Sequence, residues 1–433
     1  MSDRRHFIRS AAAAGLTTNI FPKLARGAND KIQVGYIGMG AMGLGNLKVS
    51  LGTENIVPTA VCDVYQPYLV RAKAEADKNR AGAKVRMVKD FREIIADKSI
   101  DAICISTPDH WHAYMTIEGC KAGKDVYVEK PCSVTIEEGQ MMVKAARKYS
   151  RVVQAGTMQR SAPHFIKACE IVRSGELGQI SFCRTWNYAN NDPALHGSPA
   201  DSAPPKDLDW DMWLGPAPQR AFNENRWGVS PKRWSTFRYF WDYAGGWVTD
   251  WAVHLVDIVQ MAFNEPLPTS AAALGGRYFV KDNTETPDTL SITLEYPNGM
   301  LVSYENRQNN ANSLFNHAYG ITFHGSKATL FVDRSGYQIW PEKDSAVAAV
   351  EVKGVGAGND QHWANFADCI KTRKKPNADI EYNHKTSTAC HLGTISYRSK
   401  MRVDFDPATE QIAQVEARKF ASRENRAPWK LTL

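Results

Sequence analysis

From residue 31 onward, short apolar runs alternate with longer, mixed stretches. The runs at 31–37 (KIQVGYI), 56–62, 85–88, 102–106, 125–129 and 152–155 are rich in Val, Ile and Ala and are strand-sized. Helix-length stretches separate them. Such alternation predicts parallel strands joined by helices in right-handed crossovers, a doubly wound sheet. The pattern changes further along. Apolar and polar residues alternate with a period of two at 271–278, 290–296, 300–304, 320–324 and 328–332. Asn298-Gly299, between two of these runs, predicts a tight hairpin. No helix-length pattern interrupts the block, so an antiparallel sheet is expected there. Helical stretches at 361–372 and 386–399 are expected to pack back onto the first part.

Composition narrows the classes. With 433 residues, 43% hydrophobic and 23% charged, the chain can bury a sizeable core in two or three domains. No apolar run reaches 18 residues, so no stable membrane insertion is expected. The net charge is +7, of which residues 1–27 carry +4 through five Lys/Arg and one Asp. The remainder is too small to predict a nucleic-acid partner. The eight cysteines show neither CxxC pairs nor zinc spacing, which predicts buried, reduced thiols. No metal site is expected.

The glycine run Gly38-Met39-Gly40-Ala41-Met42-Gly43 follows the first strand at once and opens a helical stretch. In that setting Gly38 permits the tight turn, Gly40 lets backbone approach a pyrophosphate, and Gly43 lets helix and strand pack closely. The helix amino terminus then offers N–H groups and a positive dipole end to phosphates. The second strand ends at Asp63, twenty residues after Gly43. A carboxylate there accepts ribose hydroxyls and repels a 2′-phosphate, which favours NAD over NADP. Met42 belongs to the same loop. Later strand ends carry Thr107-Pro108-Asp109-His110, Glu129-Lys130-Pro131 and Gln159-Arg160. In such sheets these ends share the ligand edge with Gly38. Thr107, Pro108, His110, Glu129, Lys130 and Gln159 are therefore expected at the cofactor, and Arg160 at the substrate. His112 is a further candidate for lining the site.

Lys130 stands between an acid and a proline, which favours extended backbone and lets its amine point at a reacting hydroxyl. Downstream, Gly245-Gly246 leads into Asp250 and His254, spaced i,i+4 and so expected on one helix face. An imidazole of ordinary pKa accepts a hydroxyl proton near neutrality, and Asp250 can orient it or bind substrate.

Taken together, the strand-linked glycine loop, the strand-end Asp63, Glu129-Lys130-Pro131 and Asp250-x-x-x-His254 resemble the Gfo/Idh/MocA oxidoreductases over nearly all of residues 31–400. The resemblance implies a Rossmann domain followed by an α+β domain with a large, open, mostly antiparallel sheet that often carries dimer contacts. A homodimer or homotetramer is expected on that ground. It also implies that Lys130 assists proton transfer while Asp250 and His254 take the substrate and acid/base positions. The expected division is 28–155 for NAD binding, 156–400 for substrate and oligomer contacts, and 401–433 as a carboxy-terminal extension.

Residues 1–27 read as a signal. Arg4-Arg5-His6-Phe7-Ile8-Arg9, the mild apolar stretch 11–16 and Ala25-Arg26-Gly27 resemble a twin-arginine export signal, which implies a periplasmic or otherwise exported protein. Eight of the twelve tryptophans fall between residues 186 and 251, among them Trp213, Trp227, Trp234, Trp247 and Trp251. Asn187, Asn190, Asn223, Asn225, Arg226, Arg233 and Arg238 are interleaved with them. Aromatic faces with amide and guanidinium donors suit a sugar or polyol, with Trp247 and Trp251 the expected contacts. The reading that follows is hydride transfer between such a hydroxyl and tightly bound NAD. An NAD-dependent glycoside-cleaving enzyme using transient oxidation and elimination is the alternative, and a non-catalytic NAD- or sugar-binding protein a further one.

Overall fold

The computed structural model describes residues 31–78, 85–191, 196–228, 235–297 and 299–433. The signal-like segment, Trp234, Arg233 and Asn298 lie outside the described residues. Residues 31–433 form one compact unit.

Six strands, β1 (Ile32–Ile37), β2 (Ile56–Cys62), β3 (Arg86–Val88), β4 (Ala102–Ile105), β5 (Asp125–Val128) and β6 (Val153–Ala155), form a parallel sheet in the order β3-β2-β1-β4-β5-β6. Strand order reverses between β1 and β4, so both carboxyl ends frame one crevice. The strands are buried along nearly their whole length because helices cover both faces, as their continuous apolar runs require.

The second sheet has ten strands. The five period-two runs became β8 (Ser270–Gly276), β9 (Thr289–Glu295), β10 (Leu301–Arg307), β11 (Tyr319–Gly325) and β12 (Ala328–Asp333). Further strands join them: β7 (Ile180–Tyr188), β13 (Gly336–Pro341), β14 (Val350–Lys353), β15 (Val403–Asp406) and β16 (Gln411–Ile412). The order is β14-β13-β12-β11-β7-β10-β9-β8-β15-β16, antiparallel except for β7 against β10. β7 escaped the sequence reading because its interior carries Thr185, Trp186 and Asn187 in succession, all buried. The segment expected as an extension contributes β15 and β16 to this sheet. Beyond them Trp429 packs against Trp111, with ring centroids 4.8 Å apart.

Two helices lock the second part to the first. Helix Asn359–Thr372 returns to the parallel sheet, where Trp363 stacks on Tyr127 of β5 at 4.6 Å. Helix Ile380–Ser399 packs between β8 and helix Ile136–Lys148. All eight cysteines are buried and free.

Candidate active site

The glycine loop is built by steric necessity. Gly38 has φ +86°, and a Cβ there would sit 2.6 Å from the Thr107 backbone nitrogen. A Cβ on Gly43 would lie 1.8 Å from the Gly38 carbonyl oxygen. Gly40 has open space beside it instead, and it lines a cavity of about 650 Å³ together with Met42. No side chain caps the helix Ala41–Leu51, so its first N–H groups remain available to phosphate oxygens. Asp63 stands at the end of β2 on the same cavity; its carboxylate accepts the N–H groups of Met39 (2.6 Å) and Tyr65 (2.9 Å). Burial raises this carboxyl to about 6, against the lowering effect of those bonds and of Arg71. A loop without protruding side chains, open helix N–H groups and a fixed ribose acceptor fit a dinucleotide.

Thr107, Pro108, Glu129 and Lys130 also line the cavity. Glu129 is anchored by Asn46 Nδ2, which donates to it at 2.9 Å. His112 lines it as well, with Nδ1 2.7 Å from the Pro131 oxygen. The opposite wall comes from the aromatic segment, through Met212, Trp213, Trp227, Phe237 and Arg238. This segment has its own hydrophobic cluster and is latched to the chain just beyond Asp63: Gln66 N–H donates to Asp207 (3.1 Å) and Asp209 N–H to Val64 (3.1 Å).

Lys130, 7% exposed, donates from Nζ to the Asp250 carboxylate at 2.5 Å and to the Asp250 carbonyl at 2.9 Å. Arg238 Nε approaches the same carboxylate at 3.0 Å. Burial opposes ionisation of Asp250, but Arg238 and Lys130 outweigh it and hold the carboxyl well below its usual range. Asp250 lies in a π-helical turn, Val248–Ala252, that runs into helix Val253–Ala262, so the α-helical face assumed from the spacing is locally rewound. His254 is buried, and its Nδ1 has no hydrogen-bond partner among the described residues. Burial, then the charges of Lys130 and Arg334, push its imidazole well below 6.5, with Asp250 opposing. It is therefore a neutral group at pH 7, not one of ordinary pKa.

Three expected contacts fall elsewhere. His110 is turned away from the cavity; Nε2 meets the Trp213 oxygen at 3.0 Å, and burial depresses the ring to about 3. Gln159 sits behind His254, donating to its carbonyl (3.2 Å) and accepting from Arg334 Nε (3.2 Å). Arg160 is engaged by Asp257 (2.7 Å) and Glu265 (2.6 Å) at 2% exposure and does not line the cavity. Trp247 and Trp251 lie beside the π-helical turn with rings stacked at 6.5 Å, and Trp251 meets the His254 ring edge-on at 6.4 Å.

Three further charged groups reach the site. Arg238 and Asp109 line the cavity, and Arg334 reaches the His254 side from the turn between β12 and β13. Burial raises the Asp109 carboxyl to about 7, against Arg238 and Lys130. Asp109 stands in a strand-end polar cluster and Arg238 among the arginines interleaved with the tryptophans, though neither had an assigned role; nothing local marked Arg334.

Comparison with known proteins gives two family matches. One, described as the oxidoreductase family NAD-binding Rossmann fold, covers residues 32–157; the other, the oxidoreductase family C-terminal alpha/beta domain, covers 196–431. Among curated relatives, a glycosyl hydrolase family 109 protein of Shewanella sp. (strain W3-18-1) is 30% identical over 201 residues, 41% of this chain and 44% of that one. One from Shewanella baltica (strain OS155) is 29% identical over the same length. The chain thus spans less than half the length of these relatives. Among solved structures, levoglucosan dehydrogenase in complex with NADH and levoglucosan superposes with a TM-score of 0.68 at 18% identity, covering 87% of this chain and 99% of that one. The WlbA dehydrogenase from Bordetella pertussis, in complex with NADH and UDP-GlcNAcA, gives 0.64 at 19% identity, with 87% and 99% covered. These likenesses are of fold.

Proposed function

Because this chain belongs to the Gfo/Idh/MocA oxidoreductase family and carries its NAD-binding Rossmann domain, we propose that it oxidises a sugar or polyol hydroxyl on tightly held NAD. The observation that carries this reading is the meeting of Lys130, Asp250 and Arg238 at the dinucleotide cavity, with His254 beside them. NAD, when bound, supplies the hydride acceptor. Asp63 holds the ribose and the Gly38–Gly43 loop the pyrophosphate. Asp250 aims the Lys130 ammonium, which binds the reacting oxygen. His254 takes the hydroxyl proton at an imidazole nitrogen that is unprotonated in the resting site. Trp251 offers a ring to the sugar's C–H face. The aromatic segment excludes water from above.

Two measurements test this. Mass spectrometry of the denatured protein is expected to find NAD, and a sugar panel to raise absorbance at 340 nm. Absence of both would remove the reading. The pH profile carries a further expectation. Deprotonated His254 is the working base, and its pKa is depressed. The kcat/KM for oxidation should therefore stay level as pH falls through 6.5 and decline only below it. An acid limb centred at 6.5 or above would exclude His254 in this environment.

The identity to family 109 glycosyl hydrolases favours a second reading. Here the hydroxyl is oxidised transiently, the aglycone is eliminated, and the hydride returns, so NAD is unchanged overall. Aryl glycosides separate the two: release of the phenol without net absorbance at 340 nm supports cleavage. An exported enzyme that keeps its NAD must regenerate it on the protein: cleavage does so by returning the hydride to the oxidised sugar, and oxidation does so when the NADH reduces a second sugar. We read residues 1–27 as that twin-arginine signal; cell fractionation with Arg4 and Arg5 both changed to Lys tests it.

A further inference from the structure

Arg334 occupies the two-residue turn between β12 and β13. Its guanidinium lies 5.2 Å over the Trp251 ring and 6.0 Å over Tyr319, and Nε donates to Gln159 at 3.2 Å. These contacts hold it close enough for its charge to act on His254. Among the described residues no carboxylate pairs with it. Its chain neighbour Asp333 is committed to His317 (2.8 Å) and to the Ser335 N–H (2.7 Å). Asp250 is shared by Lys130 and Arg238. Glu129 is held by Asn46 at the cofactor side. The other guanidiniums buried near the site each have an acid: Arg160 has Asp257 and Glu265, and Arg238 has Asp250. Arg334 is the exception.

A partly buried cation without a counter-ion is costly, and burial correspondingly lowers the basicity of Arg334. Lys130 and Arg238 share Asp250, and Asp109 and Glu129 also act on Arg238, whereas among the described residues neither Asp250 nor Asp333 forms an ion pair with Arg334. Neutral hydroxyls could be bonded by an amide at no such cost. A guanidinium held close to two aromatic rings is suited to a two-point bond with an oxyanion.

We propose that the substrate is an anionic sugar, and that Arg334 receives its oxyanion while His254 and Lys130 address a hydroxyl. This rests on the sugar reading of the site, and holds equally for oxidation and for glycoside cleavage. Arg334 thereby sets substrate class rather than taking part in proton transfer.

The test compares matched pairs on the NAD-loaded protein: glucuronate with glucose, galacturonate with galactose, and glucose 6-phosphate as the phosphate arm. Binding is read by tryptophan fluorescence and calorimetry, turnover at 340 nm. Wild-type protein should bind an acid at least ~10-fold more tightly than its neutral partner. Arg334→Gln should remove that preference, bringing the acid's Kd up to that of its neutral partner, while any change in rate through His254, whose imidazole feels the Arg334 charge, falls equally on acid and neutral sugar; Arg334→Lys should restore part of the preference. Preference for glucose 6-phosphate over glucuronate supports the oxyanion site and assigns it to phosphate. Equal binding of acid and neutral sugars by the wild type, or an acid preference in binding that survives Arg334→Gln, overturns the proposal. An acid that binds through Arg334 without turnover would sink the proposed activity and leave this inference standing.

Discussion

Lys130→Ala protein is expected to keep its NAD and to lose oxidation of its substrate by about 10³-fold, within the range for a positioned proton-transfer group. The ammonium is one of two cations on Asp250, and Arg238 stays 3.0 Å from that carboxylate after the truncation. The buried charge is therefore not abandoned, and the fold should survive. That separates a chemical role from a structural one: cofactor content by mass spectrometry and the thermal melt stay near wild type while kcat collapses. Lys130→Arg should not rescue, because a planar fork cannot take the place of a compact ammonium bonded to both the carbonyl and the carboxylate of one residue. Full turnover in Lys130→Ala would remove Lys130 from the mechanism.

Arg160→Met should behave in the opposite way, with a loss of about 3–5 kcal/mol of folding stability and, in molecules that remain folded, little change in substrate KM. Arg160 and Asp257 are buried to 2% and 0% exposure, and Glu265 completes the group. Removing the guanidinium leaves the Asp257 carboxylate in the interior with, among the described residues, only the Thr386 hydroxyl, at 2.9 Å, still donating to it. Denaturant titration reads the first effect and kinetics the second. A stable variant with a raised KM would return Arg160 to the substrate.

These two residues show where legibility ends. Lys130 and Arg160 follow strand-end positions of the same parallel sheet, and both were read as site residues. One points into the cavity, the other into a triad of charges beneath it. Strand-end position states which edge of the sheet a residue occupies. The direction of its side chain depends on what packs there, here Asp257 and Glu265 from a helix and its following turn about a hundred residues away. His110 failed likewise, because the aromatic segment that claims it through the Trp213 carbonyl returns from far along the chain.

What chain order alone determined is local. The run lengths specify the parallel strands, the two-residue period five inner strands of the second sheet, and the glycine spacing a loop that tolerates no Cβ at Gly38 or Gly43. Each is written in spacing along a short stretch of chain. Tertiary packing decided the charges. It set Asp250 against Lys130 across 120 residues, brought Arg238 and Arg334 in from separate loops, and took His254 out of water. Ionisation in a low-dielectric site depends on every charge nearby, whichever element carries it. No local pattern encodes that sum.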